Sequence, residues 1–224
     1  MMRNKKARSA AVHEGGGAGT VRIIGGQWRG RRVRIEPAPG LRPTPDRVRE
    51  TLYNWLQGAL VDARILDLYA GTGALGLEAL SRGAQHATFV ERDPRVAQRL
   101  RDTLALLGAG NATVHTADAA AFLAHRAPAG GRYDGVLLDP PFATEVHGDL
   151  CKLLERNEWL AERAWIYLES PSELDVPQLP AGWRVVRSLK AGAVMATLVR
   201  RGTTRPPDAP HASGVPTAKG EENL

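Results

Sequence analysis

The chain of 224 residues has a single cysteine, no apolar run approaching the roughly 20 residues of a membrane helix, and no clustered histidines. Each scarcity removes a class of function. Cys151 has no partner for an intramolecular disulfide, and its place in "DLCKLLERN" marks it as a small apolar residue on a helix. His13, His86, His115, His125, His147 and His211 show no ligand spacing, so no metal is expected. A Ser/His/Asp hydrolase would need a G-x-S-x-G elbow and a histidine partner, and neither is visible. No apolar h-region follows the first basic residues, so export is not expected and the cytoplasm is the expected compartment.

What is present is ordinary globular composition, 43% hydrophobic and 24% charged, with a lopsided charge. The net charge is +6, yet residues 1 to 47 hold eleven Lys/Arg against three acids, a net of +8 that leaves −2 for the other 177 residues. A basic segment on a near-neutral body can attract a polyanion through counterion release without reading its sequence. Residues 1–20 and 202–224, rich in Gly, Ala, Pro, Ser and Thr, read as disordered tails. "VRIIGGQWRGRRVRIEP" (21–37) reads as a twisted hairpin, and "LRPTPDRVRETLYNWLQGAL" as a helix that Thr44 can cap, with Val48, Leu52, Trp55, Leu56 and Leu60 on one face. Residues 21–60 are therefore expected to form a basic hairpin-and-helix extension, and 61–201 the main domain.

From Arg64 onward, strand-like runs alternate with helical patterns: "ILDLYAG", 74–82, "ATFVERD", 94–107, "ATVHTAD", 119–126, "YDGVLLDPP", 145–156 and "WIYLESP". That alternation predicts a parallel sheet with covering helices. After 174, "WRVVRSLKAGAVMATLVRR" predicts two strands that close the sheet as an antiparallel pair.

Gly71, Gly73 and Gly76 stand in G-x-G-x-x-G spacing between a strand and a helix, a weak signal for a nucleotide-type ligand. An NAD-dependent oxidoreductase could use that spacing. Asp67 argues otherwise, because a carboxylate beside the loop repels a pyrophosphate and attracts an ammonium or sulfonium. S-adenosylmethionine carries both cations. Glu91, 20 residues after Gly71, can accept from ribose hydroxyls, and Asp118, closing the third strand, from an adenine amine. Both acids, with Asp67 and Asp139, are expected at the carboxyl edge of the sheet.

"DGVLLDPPF" ends a buried strand on a carboxylate, two prolines and an aromatic. Consecutive prolines hold the backbone extended, and Pro140 has no N–H, so its carbonyl and Asp139 can converge as two acceptors. Such a pair suits an exocyclic aromatic amine: it orients the nitrogen toward a methyl donor and stabilises the positive charge that develops there. Phe142 can stack on the base.

These features resemble class I S-adenosylmethionine-dependent methyltransferases that act on nucleobase amines. More closely, "RIIGGQWRGRRV", "GLRPTPDRVRETLYNWL", "GALGLEALSRGA" and "DPPF" resemble the RsmD family, the 16S rRNA guanine-N2 methyltransferases of the bacterial small subunit, over residues 21 to 201. The resemblance implies a Rossmann-like, mostly parallel seven-stranded sheet with helices on both faces. It also implies guanine N2 as target atom and 16S rRNA, in a particle containing ribosomal proteins, as partner of a monomeric enzyme. Catalytic residues are then expected to be Asp139, Pro140, Pro141 and Phe142. The cofactor set is Asp67, Tyr69, Gly71, Gly73, Glu91, Arg92, Asp118 and Ala119. The RNA set is Trp28, Arg29, Arg31, Arg32, Arg34, Arg42, Thr44 and Arg47. An adenine-N6 methyltransferase acting on DNA or RNA is the alternative, and a non-catalytic RNA-binding module a more distant one.

Overall fold

The computed structural model describes residues 19–35, 46–141 and 146–202. Two short strands come first, β1 (Gly19–Arg22) and β2 (Arg32–Ile35), paired antiparallel. Helix α1 (Asp46–Trp55) follows, shorter than the predicted span: Leu56 and Leu60 reach the core from turns beyond its end. Thr44 and Pro45, its predicted cap and first residue, lie outside the described residues.

The alternating region is built as the periodicity predicts. The elements are β3 (Arg64–Asp67), α2 (Ala74–Ser81), β4 (His86–Glu91), α3 (Pro94–Leu107), β5 (Ala112–Thr116), α4 (Ala119–Leu123), β6 (Tyr133–Leu138), α5 (His147–Arg156) and β7 (Leu160–Pro171). Strands β8 (Trp183–Ala191) and β9 (Val194–Arg201) end the described chain. Their order across one seven-stranded sheet is β5-β4-β3-β6-β7-β9-β8. The first five are parallel, and β9 runs antiparallel to both β7 and β8. This is the class I methyltransferase architecture.

Local chemistry explains the boundaries. Helix α3 starts where the Asp93 carboxylate accepts from the N–H groups of Arg95 and Val96, has Pro94 in its first turn, and closes on Gly108. It buries Ala97, Leu100 and Leu104 against the sheet, each leucine worth roughly 1.5–3 kcal/mol. Helix α2 instead starts on Gly73, at φ 79, with no side-chain cap. Two apolar layers flank the sheet. One joins Ile65, Leu137, Trp165 and Tyr167 to α1 and α2, the other joins Leu66, Leu138, Ile166 and Leu168 to α4 and α5.

The hairpin is clamped to α2. Glu78, fully buried, accepts from the N–H groups of Ile24 and Gly25 at 2.7 Å each, and from Arg82. Ser81 donates to the Gly25 carbonyl and accepts from Trp28 N–H, while Arg49 of α1 donates to the Arg22 carbonyl.

Candidate active site and nucleic-acid face

The chain enters the sheet at β3, steps outward through β4 and β5, and returns to β6 on the other side of β3. The gap between the carboxyl ends of β3 and β6 is thus the topological switch point, where open α/β sheets bind ligands. Asp67 ends β3 and Asp139 follows β6; Glu91 ends β4, and Asp118 follows β5 by two residues. Topology brings the four predicted acids to one edge, at different depths.

Asp67 is almost wholly buried, and its Oδ2 accepts from Gly76 N–H at 3.0 Å. Burial pushes its carboxyl from 3.8 up to about 7; the Gly76 bond opposes that and the negative charge of Glu91 adds to it. Gly76 is needed for this closeness, since a Cβ there would sit 2.2 Å from the Phe89 ring and 3.1 Å from the Asp67 carboxylate. Glu91 braces the loop: Oε2 accepts from Gly71 N–H at 2.9 Å and Oε1 from Asp93 N–H at 2.8 Å. Spacing had pointed only to ribose binding. A carboxylate offers about four lone-pair sites, so both tasks fit.

Asp118 is exposed and caps α4 through Ala121 N–H, with Ala119 buried behind it. Tyr69 is half-buried; its hydroxyl is pushed up by burial and then by Asp118, against Arg92. Tyr69, Asp118 and the exposed Arg92 therefore share one neighbourhood above the glycine loop. Gly71 and Gly73 form the turn between.

On the far side of the switch point Asp139 is half-buried, Pro140 buried and Pro141 exposed, directly after β6. Phe142 lies outside the described residues, as do Arg42 and Thr44. Near Asp139 stand three residues that sequence reading missed, two on β7 and one at the start of α5. Tyr167 and Glu169 are buried and joined by a hydrogen bond from the phenol to Oε2 at 2.9 Å. His147, starting α5, bonds the Glu169 carbonyl through Nε2 at 2.8 Å, and burial holds its imidazole below the ordinary range. The signal was legible in "WIYLESP": an acid closing an apolar strand, as in "VLLDPP". An open cleft of about 330 Å³ lies between the first turn of α5 and the chain after β7, lined by His147, Asp149, Ser170, Leu174 and Asp175 among others.

The basic hairpin presents Arg29, Arg31, Arg32 and Arg34 to solvent, and Arg47 is exposed on the first turn of α1. Arg22, absent from the predicted set, pairs across the strands with Arg32 and is exposed as well. Trp28 requires a correction. It was expected to contact RNA, but it is 6% exposed and packed in the core with Ile23 and Val33, so its ring anchors the hairpin. Its indole has more apolar surface than the hairpin can otherwise bury, and burial wins.

Among the described residues no group of three or more His, Cys, Asp or Glu could hold a metal ion, and no helix is long and apolar enough to cross a membrane. Cys151 is buried in α5, its thiol pushed up to about 12 by burial.

Residues 21–200 match the family model described as conserved hypothetical protein 95. "Ribosomal RNA small subunit methyltransferase D" of Escherichia coli strain K12 is 51% identical over 185 residues, covering 83% of this chain and 92% of that protein. The protein of the same name from Haemophilus influenzae is 39% identical, covering 79% and 91%. The solved structure of Escherichia coli yhhF aligns with a TM-score of 0.75 at 46% identity, covering 83% of this chain and 99% of that one.

Proposed function

The chain belongs to the conserved hypothetical protein 95 family, the RsmD family of rRNA methyltransferases, and from that membership we propose that it methylates the exocyclic N2 amine of a guanine in 16S rRNA. S-adenosylmethionine is the donor in this reading, and what it supplies is an electrophilic methyl on a sulfonium. The strand-edge residues suit it. Glu91 and Asp118 make the crevice acidic, with Asp67 buried behind the glycine loop and fully charged only above about pH 7, and this favours a cationic ligand over a pyrophosphate. Glu91 lies at the height of the glycine turn for ribose hydroxyls, and Asp118 with Tyr69 and Arg92 lies farther out for the adenine.

The observation that carries the reading is the position of Asp139 and Pro140 across the switch point from the glycine loop. A guanine amine is a poor nucleophile because its lone pair is spread into the ring. Accepted hydrogen bonds to the Asp139 carboxylate and the Pro140 carbonyl fix the nitrogen in line with the sulfur–carbon bond and offset the positive charge that grows as the new N–C bond forms. Asp139 orients more than it deprotonates, since the amine proton becomes acidic only once the methyl is attached. Cys151 is buried within α5, so direct displacement without a covalent enzyme intermediate fits the chain. The exposed arginines of the hairpin supply phosphate contacts to rRNA, presented in a small-subunit particle to a monomeric, cytoplasmic enzyme.

Mass spectrometry of small-subunit rRNA from a strain lacking the gene tests this. One N2-methylguanine is expected to disappear, to return with the wild-type gene, and not with Asp139→Ala, whose turnover should fall roughly 100- to 1000-fold while calorimetric S-adenosylmethionine binding persists. Unchanged rRNA methylation in the deletion strain would overturn the proposal.

A further inference from the structure

The cleft beside α5 takes no part in the proposed methyl transfer, yet it opens at the height of that site. Strand β7 runs parallel to β6 with Leu138 opposite Leu168, so two further steps set Ser170 level with Pro140. Neighbouring parallel strands are about 4.8 Å apart. Side chains alternate along β7, so Ser170 points to the face opposite Tyr167 and Glu169, the face that α5 covers. There His147, Asp149, Ser170, Leu174, Asp175 and Pro177 line a space of about 330 Å³, within the range of small-ligand pockets.

Two buried polar groups in this lining have hydrogen-bonding capacity to spare. Ser170 is 8% exposed, and its hydroxyl makes no hydrogen bond among the described residues; nor is its oxygen sealed in the interior, so the cleft is where it meets a partner. His147 is 6% exposed and engages the Glu169 carbonyl through Nε2. A carbonyl only accepts, so Nε2 carries the hydrogen; burial keeps the ring neutral, and Nδ1 is left with a lone pair. Asp149 and Asp175 are exposed at the rim, Asp149 holding Lys152 at 2.9 Å, while Leu174, 38% exposed, and Pro177 form an apolar wall.

The lining therefore accepts far more than it donates. Its two carboxylates repel a phosphate. A nucleobase fits both halves of the cleft, because its amine and ring N–H groups donate while its flat face covers Leu174 and Pro177. A protein ammonium would be satisfied at the rim, and would use neither the apolar wall nor Ser170.

We propose that this cleft seats the base of a nucleotide next to the target guanine, held through its N–H edge by Ser170, His147, Asp149 and Asp175. The inference rests on the reading of the chain as a methyltransferase of guanine N2 in rRNA. Seating the neighbour splays the strand, so the target base arrives unstacked at Asp139 and the Pro140 carbonyl. The hairpin packs with α2 on the other face of the sheet, which keeps its phosphate contacts separate from this one.

The test uses the full-length enzyme with small-subunit particles whose rRNA is abasic at the nucleotide on one side of the target or the other. With wild-type enzyme, one of the two abasic particles is expected to raise KM roughly 10-fold while kcat stays near its value on intact particles. Ser170→Ala combined with Asp175→Asn should raise KM on intact particles by a similar factor, and lose nothing further on that abasic particle. S-adenosylmethionine affinity and the salt dependence of rRNA binding should stay at their wild-type values. Asp175→Asn alone, at an exposed position, should show part of the KM effect, which guards against a variant that merely folds poorly. Wild-type KM unchanged on both abasic particles, KM unchanged in the double variant, or losses that simply add, as for a ribosomal protein seated in the cleft, would overturn the proposal. The underlying reading fails separately, if wild-type enzyme forms no N2-methylguanine on intact particles.

Discussion

Asp67 is where a residue's environment most changes its chemistry. A carboxyl normally at 3.8 sits at about 7, because the end of β3 is sealed by α2 and only one N–H compensates. The native state therefore holds a proton that the unfolded chain releases near pH 4. Stability from this group is complete below about pH 4, falls as pH rises through the window to about 7, and is level above it. Asn at 67 keeps an acceptor for Gly76 N–H and has nothing to titrate. Urea unfolding followed between pH 4 and 8 should show a downward slope in the wild type that Asp67→Asn lacks; identical slopes would mean that Asp67 is not desolvated in solution. Glu91 and Asp118 show the complementary case. Both were legible as strand-edge acids, yet their backbone bonds to Gly71, Asp93 and Ala121 depend on turns no spacing rule specifies.

At the scale of elements, the basic hairpin has its own small contact set and depends on α2 for its position. Glu78 gathers Ile24 N–H, Gly25 N–H and Arg82, with the buried Arg49 guanidinium nearby at 3.9 Å. Removing it leaves two backbone donors without their acceptor and Arg82 without its carboxylate, while Arg49 keeps Asp46 at 2.6 Å, at a cost of roughly 3–5 kcal/mol. Glu78→Ala should lower Tm by several degrees and speed tryptic cleavage within residues 29–34, as a released hairpin would; unchanged cleavage would show that the clamp is redundant. This coupling also joins the basic hairpin to the helix that begins at the glycine loop. "GALGLEALSRGA" was readable as a helix with a buried face, but that its glutamate points into the molecule to hold a distant hairpin was not.

For the whole molecule, charge asymmetry remains the most direct statement about the partner. Five arginines of the hairpin, Arg22, Arg29, Arg31, Arg32 and Arg34, stand exposed on an extension whose Val21, Ile23, Trp28 and Val33 are buried. Each phosphate contact releases counterions, so affinity falls with salt in proportion to the number of contacts. Reversing Arg31 and Arg32 to Glu should weaken rRNA binding and reduce the slope of log affinity against log salt by roughly 1 to 2. Filter binding from low to moderate salt measures it, and an unaltered slope would remove those two residues from the interface.

The periodicity of 64–171 determined a parallel sheet with covering helices, and the end of each run told which acids meet at its carboxyl edge. Those are consequences of local rules: alternation, capping and the stiffness of prolines act within a few residues and leave their mark on composition. The tertiary structure decided what depends on packing between distant segments. It buried Trp28 rather than offering it to RNA, turned Glu78 inward, sealed Asp67 from water, and set Glu169 beside Asp139. Burial and strand neighbours are properties of the assembled sheet, and a single strand read alone carries no record of which strand will lie next to it.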